Sequence, residues 1–154
     1  MPAQQHGKGS RIVAGVDGSP SSLSALNWAI AQAGRTGATV DAVIAWHYPV
    51  PVGGYGYAPV GILDGGGFQE IAEKVLADAI SNSAEQAGDV RVQARVVEGN
   101  PAQVLLDAAA GADLLVVGSR GHGGFTEALL GSVSQHCVHH APCPVVVIRS
   151  QAKN

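Results

Sequence analysis

The sequence predicts an open, doubly wound α/β domain: a five-stranded parallel sheet with four helices. Along the chain, short apolar runs alternate with helix-length segments of 3.6-residue periodicity, and one such run, "DLLVVG", is continuously apolar, as a strand covered on both faces must be. Size agrees with this layout. The chain has 154 residues, 46% hydrophobic and 14% charged, enough to fill the core of one compact domain.

The first strand is "RIVAGV" (11–16), ending at "DGS". The helix after it, "SSLSALNWAIAQAG" (21–34), carries Leu23, Leu26, Ala29, Ile30 and Ala33 on one face, with Gly34 as its expected stop. "TVDAVIAW" (39–46) is the second strand. "FQEIAEKVLADAISNSAEQAG" (68–88) is the second helix, with Ile71, Val75, Leu76, Ala79 and Ile80 inward. "VRVQARVV" (90–97) alternates as a strand at or near a sheet edge does, and Pro101 suits the first turn of a third helix reaching about Ala110. "DLLVVG" (113–118) is the fourth strand, "SVSQHCVHHA" (132–141) the fourth helix and "PVVVIR" (144–149) the fifth strand.

The expected organisation is a disordered N-terminal tail over 1–10, a single domain over 11–150 and a short tail over 151–154. Within the domain, 47–67 is the one long break, rich in Gly, Pro and Tyr, and composition leaves open a mobile lid or a disordered crossover. A formal charge of -3 argues against nonspecific attraction to nucleic acid or an anionic membrane. The first eleven residues lack an apolar targeting core and no apolar run is long enough to span a bilayer, so a cytoplasmic protein is expected. Two cysteines, Cys137 and Cys143, read as reduced, mostly buried thiols.

In such sheets ligands bind beyond the carboxyl ends of the strands, where neighbouring crossovers leave to opposite faces. Asp17 and Gly118 both lie just past such ends. After Gly118 comes the glycine-rich "GSRGHGGFTEALLGSVS" (118–134), leading into the fourth helix. Glycines let backbone amides approach a ligand, and the amides at a following helix start favour an anion, with phosphate the natural occupant. Ser132 and Ser134 place hydroxyls in the first turn, able to donate to phosphate or to cap the helix. Arg120 stands where it would pair with outer phosphates, against the ordinary reading of a surface arginine. Asp17 has a competing reading too, as the cap of the turn into the first helix. There is no Gly-Lys-Ser/Thr phosphate loop and no GxGxxG behind the first strand.

A longer spacing does fit: Gly118, two residues, Gly121, nine residues, then Gly131 and Ser132. It resembles the ATP-binding signature of the universal stress protein family, in the branch that retains the glycines. The resemblance extends over "VAGVDGS", "EGNPAQVLLDAA" and "ADLLVVGSRGHGGFTEALLGSVSQHCVHHAPCPVVVIR", nearly the whole chain. It implies a Rossmann-like fold of the adenine nucleotide alpha hydrolase type, and ATP, with Mg2+, as the ligand. Asp17 would meet the ribose or a nucleotide-bound metal, the backbone around Ala45 would read adenine, and Gly118, Gly121, Gly131, Ser132, Val133 and Ser134 would surround the phosphates. Trp46 and His47 stand where smaller residues are usual, so the adenine contact is assigned to within one position. The family resemblance also implies a two-fold dimer through Pro144 to Arg149, a flat apolar strand that is a poor open edge.

"QHCVHHAPC" invites a zinc reading, since His136 and His140 share a helix face and Cys137 or Cys143 would complete a set. Cys137 points about 100° away from His136 on a helix, and the similar segment of the family is not a metal site, so no protein metal site and no catalytic residue is expected. Two functions stand. One is a nucleotide-dependent regulatory or stress-response protein with slow or no ATP hydrolysis, acting on a protein partner still to be identified. The other is a genuine ATP-using hydrolase or phosphotransferase, disfavoured because the loop offers one Arg, one His and no Lys. Cyclic AMP in the same pocket is a third reading.

Overall fold

The computed structural model describes residues 9–47, 66–119 and 130–149. Their elements run β1 (Arg11–Gly15), α1 (Pro20–Thr36), β2 (Thr39–Trp46), α2 (Gly66–Asn82), α3 (Ala84–Ala87), β3 (Val92–Glu98), α4 (Pro101–Ala109), β4 (Leu114–Gly118), α5 (Ser132–His140) and β5 (Val145–Ile148). The five strands form one sheet in the order β3-β2-β1-β4-β5, and every pairing is parallel. The doubly wound α/β sheet is therefore as expected. β3, which starts two residues later than expected, is an edge strand, and the central β4 and β1 after Arg11 are continuously apolar.

Side chains alternate between two cores because successive strand residues face opposite sides. Ile12, Ala14, Val40, Ala42, Ile44 and Val116 meet Leu26, Ala29, Ile30 and Leu76 of α1 and α2. On the other face Val13, Val43, Leu115 and Val117 meet Val104, Leu105, Ala108 and Cys137 of α4 and α5. Since β1 leads into α1 and β4 is followed by α5, the crossovers after these neighbouring strands depart to opposite faces. That makes the gap beyond their carboxyl ends the topological switch point.

Local signals explain the helix ends. Ser19 caps α1, its hydroxyl accepting from Ser22 N–H at 3.3 Å, and Pro20 occupies the first turn, where a missing N–H costs nothing. Asn100 does the same for α4, accepting from Gln103 N–H at 3.1 Å ahead of Pro101. Three expectations need correction. Gly34 does not stop α1: the helix runs through it to Thr36, and Gly37 is the cap, with φ of 81°. The predicted single helix over 68–88 is broken at Ser83, whose hydroxyl donates to Asn27 Oδ1 at 2.7 Å, so a short α3 brings the helices to five. Ile71 lies outside the core at 58% exposure and Ala72 is buried in its stead, while Leu76 and Ala79 are buried and Val75 and Ile80 pack against the core as expected.

At the amino ends of the strands, a charge network ties the layers together. Arg11 Nη1 donates to Asp41 Oδ2 and to the Ala108 carbonyl, both at 3.1 Å, and Nη2 donates to the Ala110 carbonyl at 2.9 Å. Arg95 adds a 3.7 Å contact to the same carboxylate oxygen of the buried Asp41. One guanidinium thus joins β1, β2 and the end of α4, at the edge of the sheet opposite the switch point. Among the described residues no helix is long and apolar enough to cross a membrane.

Candidate functional site

The carboxyl ends of β1, β2 and β4 bring the expected site residues to one level. Asp17 and Ala45 each lie two residues past the paired Gly15 and Val43. Asp17 and Ser119 each lie three past the paired Ala14 and Val116. Asp17 does make the turn into α1: its Oδ1 accepts from Ser19 N–H at 2.8 Å, while its own N–H donates to Ser22 Oγ at 3.1 Å. The carboxylate is thereby held in a fixed orientation at the rim of the switch point. Ala45 sits in β2 beside Val97, half-buried, with its neighbour Trp46 packed into the opposite core.

Gly118 is a glycine for packing. A Cβ there would overlap Ser21 Oγ and lie 2.6 Å from the Ser21 carbonyl carbon and 2.8 Å from Ser22 N, so the first turn of α1 rests directly on the end of β4. Past it, Ser119 joins three elements through its backbone, a role the sequence does not signal. Its N–H donates to the Ile148 carbonyl at 2.8 Å, and its own carbonyl accepts from Gly131 N–H at 2.8 Å and from Ser134 Oγ at 3.1 Å. Strand β4, strand β5 and the start of α5 therefore converge on one buried peptide. No local pattern announces this; only the arrival of Gly131 beside the end of β4 creates it.

The α5 start has the features an anion requires. Gly131 caps it with φ of -67° and ψ of 166° and offers no side chain to accept from the first-turn amides. Those amides have no carbonyl one turn back within the helix, so an outside acceptor is what completes them. Ser132 is exposed there, and Val133 packs partly into the second core, leaving its backbone as its polar contribution. Ser134 differs from the phosphate-donor expectation: it is 3% exposed and its hydroxyl is spent on the Ser119 carbonyl, which makes it a pin for the helix. Arg120 and Gly121 lie outside the described residues, as do 48–65 of the expected 47–67 break.

The histidine and cysteine segment divides between two environments. Cys137 is fully buried in the second core, and burial pushes its thiol up to about 11. It points away from the exposed His136 and His140, so no tetrahedral set forms, and among the described residues no group of three or more His, Cys, Asp or Glu side chains could hold a metal. Burial also raises the Cys143 thiol, with Arg11 lowering it and Asp113 raising it by lesser amounts. Cys137 carries a pH signature. Its folded pKa lies above the ordinary 9.0, so its contribution to stability is present below pH 9 and is lost as pH rises towards 11, amounting to about 2 to 3 kcal/mol. Urea unfolding of the parent should show this loss, whereas Cys137→Ala, less stable at pH 8, should show a shallower decline over the same window.

Comparison with known proteins agrees with this architecture. The chain is 40% identical over 149 residues to a universal stress protein of Mycobacterium tuberculosis, covering 97% of this chain and 48% of the relative, so it spans about half the length of the curated relatives it matches. A universal stress protein structure from Lactobacillus plantarum superposes with a TM-score of 0.70 at 23% identity, covering 91% of this chain and 97% of that one, a likeness of fold. A universal stress protein solved in complex with cAMP superposes with a TM-score of 0.65 at 28% identity, covering 93% and 98% of the two chains. Residues 9–149 match the sequence profile of the universal stress protein family, and the chain belongs to that family.

Proposed function

We propose that the chain is an adenine-nucleotide-binding regulatory protein of the stress-response type, binding ATP with Mg2+ and hydrolysing it slowly or not at all. The observation that carries this reading is the α5 start: uncapped first-turn amides at the switch point, held against β4 by the Ser119 carbonyl. That donor set fits a phosphate. The amides of Ser132, Val133 and Ser134, with the glycines Gly121 and Gly131, would hold the phosphates, and Arg120 would add a charge. Asp17, its carboxylate oriented by Ser19 N–H, would meet the ribose or the nucleotide-bound metal, and the Ala45 backbone would read adenine. Bound Mg2+ would supply charge neutralisation at the phosphates. Among the described residues at this site no Lys stands by, which supports binding over rapid phosphoryl transfer and favours regulation over an ATP-using hydrolase or phosphotransferase.

The protein would act in the cytoplasm, as a single domain over 11–150. It would dimerise through Pro144 to Arg149, where the apolar β5 closes one side of the sheet, and would signal to a protein partner through that dimer or through segment 47–67. Cyclic AMP is the second reading, favoured by the related structure that holds it. The test is titration of nucleotide-stripped protein with Mg-ATP and with cyclic AMP in competition. Micromolar ATP binding, with cyclic AMP displacing it weakly, supports the first reading; the reverse order supports the second. Absence of both from folded protein overturns the nucleotide site.

A further inference from the structure

The outer face of α5 carries a metal-ligating pair that the nucleotide site does not use. His136 and His140 stand one helical turn apart and both are exposed, with ring centres 4.6 Å apart and ring planes tilted by 43°. We propose that these two imidazoles chelate one first-row divalent transition cation of the Cu2+, Ni2+ or Zn2+ class, bound bidentately on the helix surface.

Three features support the assignment. With metal–nitrogen bonds of about 2.1 Å, two imidazoles about 90° apart on a square-planar or octahedral ion have ring centres roughly 4.5 Å apart, close to the 4.6 Å of this pair, while a tetrahedral ion would need a small opening of the rotamers. The backbone beneath is a regular helix anchored by the buried Cys137, which lies between the two histidines in sequence and faces the core. The chelate therefore closes over a preformed turn, and only side-chain rotamer freedom is lost on binding. His140 also lies in the last turn, where the unsatisfied carbonyls place partial negative charge and favour a cation.

The metal class follows from the donors. Two neutral imidazoles without a thiolate or carboxylate suit Cu2+, Ni2+ and Zn2+, with Cu2+ tightest, and have little affinity for Mg2+ or Ca2+. Water would complete the coordination sphere, since the described residues provide no third protein ligand. The site is independent of the tetrahedral cysteine-containing set, which the burial of Cys137 removes.

The full-length chain, stripped with chelator, should be titrated with Cu2+ and separately with Ni2+ by calorimetry, beside His136→Ala, His140→Ala and His139→Ala. The other histidines supply background, so the readout is one equivalent present in the parent. We expect that equivalent to weaken at least tenfold in His136→Ala and in His140→Ala alike, to persist in His139→Ala, and to follow the order Cu2+ above Ni2+. The frozen Cu2+ complex should show two imidazole nitrogens by electron spin echo, falling to one in either variant. All three substitutions are at exposed positions, and circular dichroism would verify the fold of each variant. Unchanged binding in His136→Ala or His140→Ala, or an equal loss in His139→Ala, would overturn the assignment.

Discussion

Gly118→Ala should destabilise the folded chain by about 3 kcal/mol or more, the largest effect expected of any single-methyl addition near the site. The new Cβ would fall 2.6 Å from the Ser21 carbonyl carbon and 2.8 Å from Ser22 N, both backbone atoms that cannot swing aside as the end of a side chain can. Nor can the turn retreat cheaply. Ser19 caps it, Asp17 binds it from both N–H and carboxylate, and Ser22 donates back to the Ser19 carbonyl at 3.1 Å. On the other side, β4 is held between β1 and β5. Chemical denaturation should show a lower midpoint with an unchanged slope. A variant as stable as the parent would mean that α1 does not rest on the end of β4.

Gly131→Val should behave in the opposite way. Its φ of -67° and ψ of 166° are open to any residue, so the backbone tolerates a side chain, and the cost to stability should stay near 1 kcal/mol from exchanging a glycine cap for a poor one. Under the proposed function, adenine-nucleotide affinity should instead fall a hundredfold or more, about 3 kcal/mol, because a branched Cβ would stand in the proposed path of a phosphate to the first-turn amides of α5. Calorimetric titration with Mg-ATP, together with a denaturation curve, separates the two effects. Parent-like affinity in folded Gly131→Val would remove the α5 start from the nucleotide site. Together the two outcomes would show that two glycines of one signature answer to different constraints.

The strands were legible because burial on both faces writes a continuous apolar run, as in "DLLVVG", and a parallel sheet follows once helices separate such runs. Helix ends were less so. Gly34 and Gly37 are both glycines, and what distinguishes them is a positive φ at Gly37, a property of the chain path. The first turn of the α2 stripe was misread because Ile71 and Ala72 are both apolar, and only packing against the sheet decides between them. The positions of Asp17, Gly118 and Gly131 at element ends were readable because the element types were already clear, but the packing role of Gly118 against Ser21 was not. The roles of Ser119 and Ser134 were not, since they depend on a contact across 15 positions that no local pattern encodes.

The contact between Ser119 and Gly131 also bears on how such a protein can change over generations. Because the two residues are joined by a 2.8 Å hydrogen bond, the end of β4 and the start of α5 are tied to each other directly, by contacts among the described residues themselves. Ser119, Gly131 and Ser134 therefore form one heritable unit: a change at any of them must be answered at the others if α5 is to stay seated on β4.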